Sequence, residues 1–174
     1  MAQLKYTPHT PRAARPRPAT RLLAPLLAAA LAAPAGAQTT RPVDAVDLGR
    51  YLVRTAGCND CHSPGYAQQG GHTPESSWLT GDGLGWRGPW GTSYAANLRL
   101  LVAGLGEDQW LQHVRTMRPR PPMPWYDLQA MSEADLRAIY RYVRQLGPAG
   151  QAAPAYQPPG TPVAGPVVQF PGAP

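Results

Sequence analysis

The only two cysteines of the 174-residue chain lie three positions apart, and a histidine follows the second: Cys58-Asn59-Asp60-Cys61-His62. Three familiar uses of paired thiols fit poorly. A disulfide between residues three apart closes a very small, strained ring. A thioredoxin-like dithiol belongs to a βαβ pattern, and none surrounds these residues. A zinc site needs a second Cys/His pair at ligand spacing, which is missing. The remaining use is covalent attachment of haem, for which CxxCH is the pattern. Two thiols add across the two vinyl groups as thioethers, and the two-residue spacer matches the separation of those groups. His62 is then held directly under the iron as proximal ligand. No other feature constrains the fold as strongly, because one large planar group must sit beside residues 58–62.

The composition asks for such a group. Gly (18) and Pro (22) make up nearly a quarter of the chain, and there is one Phe. A large core made of side chains alone is excluded, and one ordinary domain is the expectation. Residues 63–93 are rich in Gly, Ser and Trp without a sustained period, so no strands are expected there. A long stretch of this kind normally argues against a compact domain. The objection disappears if a cofactor fills the core, and the chain without it is then expected to be unstable.

The formal charge of +6 is unevenly placed. Lys5, Arg12, Arg15, Arg17 and Arg21 precede residue 22, and the first acid is Asp44. Beyond residue 37, 11 Arg face 10 acids. A basic surface for nucleic acid is therefore not expected. The basic leader, the apolar run from Leu22 to Ala33 and the Ala35-Gly36-Ala37 site have the order of a secretory signal over 1–37. The apolar run of about 12 residues spans about 18 Å, short of the ~30 Å hydrocarbon core. The expectation is a periplasmic chain with no integral membrane span after signal removal.

Beyond the signal, a domain over 38–147 and a Pro-rich, extended or disordered tail over 148–174 are expected. Residues 43–56 read as a helix stopped by Gly57, with Leu48, Tyr51, Leu52 and Thr55 on one face. Leu98 to Leu105 suggests a short helix, and Glu107 to about Arg118 a clearer one. Ser132-Glu133-Ala134-Asp135 resembles a capping box. It opens a helix in which Leu136, Ile139, Tyr140 and Val143 share a face, with Arg137, Arg141 and Arg144 opposite. Gly147-Pro148 ends it.

The iron's sixth position can take Met, His or nothing. Met1 leaves with the signal, so Met117, Met123 and Met131 remain. Met117 falls within an expected helix, and Met131 stands where a staple residue packs ahead of a helix cap. Met123, in Arg120-Pro121-Pro122-Met123-Pro124-Trp125, is the favoured ligand, because flanking prolines leave little freedom to lose. His72 and His113 read as solvent-side residues, each a ligand only if Met123 is not.

These residues resemble the class I-like c-type cytochromes, and among them the small exported bacterial proteins that serve dehydrogenases and respiratory chains. The matching stretches are Gly49-Arg50-Tyr51-Leu52 leading to Cys58–His62, then Gly91 to Leu98, Met123-Pro124-Trp125, and Met131 to Leu136, within about 46–147. The resemblance implies an all-α fold of cytochrome c-like helices wrapped around one covalently bound haem c. Its first and last helices would cross, with Gly49 against Tyr140. It implies His62 and Met123 as proximal and distal iron ligands and the Pro64 carbonyl as acceptor for His62. Trp86, Arg87, Trp90, Tyr94, Asn97 and Trp125 are candidate donors to the haem carboxylates, with plain packing the simpler role for each Trp. Two departures stand out. Arg99-Leu100-Leu101 occupies the place of a common Thr-Pro-Asp, and there is a single haem motif.

The function expected is a periplasmic monohaem carrier passing single electrons between redox partner proteins: a dehydrogenase, an oxidase or another cytochrome. No Ser/His/Asp set or acid/base pair points to an enzyme. The alternative is a small-molecule or gas sensor, or a peroxidase-like enzyme, which requires an open distal position.

Overall fold

The structure is a computed structural model that describes residues 44–172; the signal expected over 1–37 lies outside them. In chain order its elements are α1 (Ala45–Thr55), α2 (Cys58–His62), β1 (Gly85–Gly88), β2 (Gly91–Tyr94), α3 (Leu98–Ala103), α4 (Glu107–Thr116), α5 (Trp125–Ala130), α6 (Glu133–Leu146) and β3 (Val167–Gln169).

Asp44 caps α1, its carboxylate accepting the Val46 N–H at 2.7 Å and so satisfying a donor of the first turn. The face that α1 buries differs from the one read in the sequence. Gly49 and Val53 are buried, with Val46 and Leu52 packed partly against the core, whereas Tyr51 is 62% exposed and Thr55 is also exposed. Gly49 is the reason. A Cβ there would lie 2.0 Å from the Ala138 carbonyl oxygen and 2.7 Å from the Tyr142 Cβ. The backbones of α1 and α6 thus meet at Gly49, and that contact selects the inward face. The aromatic at the crossing is Tyr142 and not Tyr140; the Tyr140 hydroxyl donates instead to the Leu105 carbonyl at 2.9 Å.

Helix α6 follows its sequence closely. The Ser132 hydroxyl accepts the Asp135 N–H at 3.1 Å, and Leu136, Ile139, Tyr140 and Val143 are buried. On its outer side Arg137 reaches Glu133 at 2.8 Å, Asp108 at 2.9 Å and Glu107 at 3.1 Å, and Arg141 reaches Glu107 at 3.0 Å. These pairs, with the Trp110 indole donating to the Leu136 carbonyl at 3.0 Å, join α4 to α6.

The stretch read as strandless contains a hairpin. Strands β1 and β2 pair antiparallel, Gly85 opposite Tyr94 and Gly88 opposite Gly91, and β3 adds to β1 in parallel, giving the order β2-β1-β3. The tail is extended through its described residues 148–172 and tied to the domain. Asn97 Nδ2 donates to the Ala149 and Gln151 carbonyls at 2.8 and 3.0 Å. Gln157 bridges to Thr92 through backbone bonds of 2.8 and 2.9 Å. The far end of the tail supplies β3.

Candidate functional site

The site starts from a break in the helix. Gly57 takes φ +73°, a left-handed conformation that glycine adopts at no steric cost, so α1 stops and α2 begins at the next residue. Within α2, Cys58 and Cys61 are three apart and share a face. The end of α2 is anchored on the following loop: the Gly81 N–H donates to the His62 carbonyl at 2.8 Å, and the Leu79 N–H donates to the Ser63 hydroxyl at 2.8 Å. Leu79 is fully buried and held at φ 61°, a conformation that costs a non-glycine residue about 1–3 kcal/mol. It lines the cavity beside α2.

A cavity of about 570 Å³, lined mostly by apolar atoms, opens beside α2. Cys58, Cys61 and His62 form part of its wall, and Met123 forms another part. Helix α6 contributes Ile139 and Val143, α3 Leu98 and Leu101, α4 Trp110 and His113, and the hairpin Trp86 and Tyr94.

The ring of His62 is 8% exposed, and its Nδ1 lies 2.8 Å from the Ala96 carbonyl oxygen. A carbonyl only accepts, so Nδ1 carries the proton and Nε2 keeps its lone pair. No described residue bonds Nε2. Burial lowers the His62 pKa, with the bond to Ala96 opposing in part, so the ring is neutral at neutral pH. A neutral imidazole oriented by a carbonyl through its other nitrogen is what a metal ligand requires. The acceptor is Ala96, which corrects the expectation of Pro64. Burial also pushes the Cys58 thiol up to about 11, with Asp60 and Cys61 adding to the shift. Burial raises Cys61 too, followed by the charges of Asp60 and Asp82. Both cysteines are free.

The remaining sequence candidates divide. Met117 and Met131 line the same cavity as Met123, although neither has its proline setting. His113 is half-buried on that wall and stacked on Trp110, which corrects the solvent-side expectation; His72 is exposed as expected. Of the carboxylate donors proposed, Trp86 and Tyr94 reach the cavity. Asn97 does not: its Oδ1 caps α3 by accepting the Leu100 N–H at 3.0 Å, and its Nδ2 holds the tail. Trp90 donates to the Trp86 carbonyl at 3.3 Å and packs on Phe170, and Trp125 lies under the Arg118 guanidinium at 4.3 Å. Arg87 is not on the wall.

Three other contributors carry no motif that marks them in the sequence. Ser93 donates to the Pro121 carbonyl at 2.6 Å, and Arg120 and Tyr156 both stand on the cavity wall. Arg99, the departure from the familiar pattern, is 7% exposed. It donates to the Gly147 carbonyl at 2.5 Å, to the Ser76 carbonyl at 2.8 Å and to the Leu146 carbonyl, holding the end of α6 against α3.

Matched against known families, residues 46–147 fit the cytochrome c model. The chain belongs to the cytochrome c family. Members carry covalent haem c, and Cys58, Cys61 and His62 fit a single attachment motif. The observed wall suits that cofactor. It offers two thiols on one helical turn, a neutral imidazole with a free nitrogen beside them, and an apolar hollow for a flat ring. No curated protein and no solved structure matches the chain. As a member of its family this cytochrome is a haem-binding electron carrier, and its fold is cytochrome c-like, largely helical with a small sheet. Among the described residues no helix is long and apolar enough to cross a membrane.

Proposed function

We propose that this cytochrome is a periplasmic monohaem carrier whose iron is held by His62 and Met123, with thioethers at Cys58 and Cys61. It would shuttle single electrons between redox partner proteins. The observation that carries this reading is the sharing of one apolar cavity by the CxxCH residues and Met123. When bound, the haem supplies a reversible one-electron couple. The protein's part is to fix the ligands, exclude water and leave an approach for partners. His62 brings a neutral nitrogen fixed by Ala96. Met123 brings a soft, neutral sulfur that favours the ferrous state and so a relatively high potential. Pro122 and Pro124 restrict the segment on either side, which keeps the geometry similar in both oxidation states. Ala56, Ala96, Pro124 and Pro154 combine exposure with a place on the cavity wall, so among the described residues the cavity reaches the surface.

The neighbours Met117, Met131 and His113 make the test specific. Met123→Ala should lower the potential and abolish the weak long-wavelength band of thioether-ligated ferric haem. It should also let ferrous iron bind carbon monoxide. Met117→Ala, Met131→Ala and His113→Ala should do none of these. A wild-type spectrum and potential in Met123→Ala would overturn the ligand assignment.

A further inference from the structure

We infer that the C-terminal extension belongs to the ligand-holding machinery: Tyr156, clamped against Arg120, positions the segment that presents Met123. The inference rests on Met123 as the distal ligand. The family match ends at residue 147, so the extension lies outside it. Yet Tyr156 is half-buried on the wall of the same cavity as Met123.

Tyr156 is anchored from the hairpin side. Its neighbour Gln157 exchanges two backbone hydrogen bonds with Thr92, at 2.8 and 2.9 Å, and Thr92 is a buried residue of β2. The Tyr156 hydroxyl donates to the Trp90 carbonyl at 2.8 Å. An aromatic ring fixed at two points is thereby offered to the chain across from it. The Arg120 guanidinium carbon sits 3.6 Å from the centroid of that ring, well inside the ~6 Å reach of a cation–π contact. Arg120 is three residues ahead of Met123, and the two residues between are Pro121 and Pro122. Their fixed φ angles carry the position of Arg120 forward with little slack. The Ser93 hydroxyl holds Pro121 by its carbonyl at 2.6 Å. The Met123 segment is therefore pinned to the hairpin twice: directly through Ser93, and through the extension by Arg120 and Tyr156.

A ligand on a short irregular segment stays bound in proportion to how far the segment is pre-organised. Releasing the Arg120 clamp adds conformations in which the sulfur is off the iron. The clamp is thus a positioning device, and its loss should be read at the iron as well as in the melting temperature.

The test uses the full-length holoprotein in five forms: wild type, Tyr156→Ala, Arg120→Ala, the double variant and Tyr156→Phe. Tyr156→Ala and Arg120→Ala should each weaken the thioether band and raise the apparent carbon monoxide affinity of the ferrous form by about fivefold. That is the upper end of the population shift expected from losing one exposed cation–π contact. The double variant should do no more than either single one, because both remove the same contact. Tyr156→Phe keeps the ring but loses the hydroxyl's bond to the Trp90 carbonyl, so it should fall between wild type and Tyr156→Ala. If Tyr156→Ala fails to load haem, Arg120→Ala carries the test, since Arg120 is exposed. Unchanged band and affinity in the single variants, or effects that add in the double, overturn the inference. Met123→Ala, measured alongside, separates the two ideas. If it loses the band while the clamp variants behave as wild type, only the clamp is wrong. If Met123→Ala keeps the band, the ligand assignment and the clamp fall together.

Discussion

Arg99 shows how a single side chain can close a helix end. The C-terminal carbonyls of α6 have no partners within the helix, and the Arg99 guanidinium meets two of them together with Ser76. Replacing it by Met leaves part-buried acceptors unpaired. Arg99→Met should destabilise the holoprotein by about 3 kcal/mol. Arg99→Lys should recover little, because a compact ammonium cannot reproduce the spread of a guanidinium fork. Denaturant titration would show this as a midpoint that falls in both variants; an unchanged midpoint in Arg99→Met would contradict it. Neither this role nor that of Ala96 could be read from the sequence, and for one physical reason. Every acceptor involved is a backbone oxygen, which every residue carries, so the pattern of side chains contains no trace of it. Residue-type signals did mark Cys58, Cys61 and His62, because thiol and imidazole chemistry is confined to a few letters, and the same kind of signal singled out Met123 as the thioether we propose as ligand.

At the scale of elements, the crossing of α1 and α6 has no room at Gly49. Gly49→Ala pushes a methyl group into the Ala138 carbonyl and the Tyr142 side chain. It should cost about 1–3 kcal/mol, the range for overpacking a core, and Gly49→Val more. Thermal melts of the holoprotein would check the ranking; an Ala variant as stable as wild type would contradict the contact. The link between α4 and α6 has its own signature in pH. Glu107 has its pKa lowered by hydrogen bonds and charge from Arg141 and Arg137, against a smaller opposing effect of burial. A depressed carboxylate stabilises the fold fully above its unfolded value of about 4.3, and that contribution is lost as pH falls through the lower folded value. Wild type should therefore out-melt Glu107→Gln at pH 7, and the gap should close below about pH 4. A gap independent of pH would show that charge is not its source. The sequence revealed α6 well, since its apolar residues recur at helical spacing and Ser132 marks its start. It misplaced the face of α1, because a glycine that lets two backbones touch leaves no apolar mark in a pattern. It missed the hairpin, whose strands are four residues each and carry glycines, with too few alternating positions to register.

For the whole molecule, the cofactor and the fold are one problem. The cavity wall takes residues from α2, α3, α4, α6 and the hairpin, so the elements meet largely around what fills it. Anything that binds the folded state alone stabilises it. Cys58→Ala, Cys61→Ala protein should lose haem staining on a denaturing gel, and protein made without haem attachment should show little cooperative melting. A sharp melt at the holoprotein temperature would contradict this linkage. In the proposed carrier Met123 closes the sixth position of the iron. The most direct measurement is the optical spectrum of the reduced wild-type protein with and without carbon monoxide. The two spectra should superimpose on first mixing, because the thioether occupies the iron and carbon monoxide binds only as it leaves. A prompt carbon monoxide adduct would contradict this and favour a gas-binding or peroxidase-like role for the same cavity.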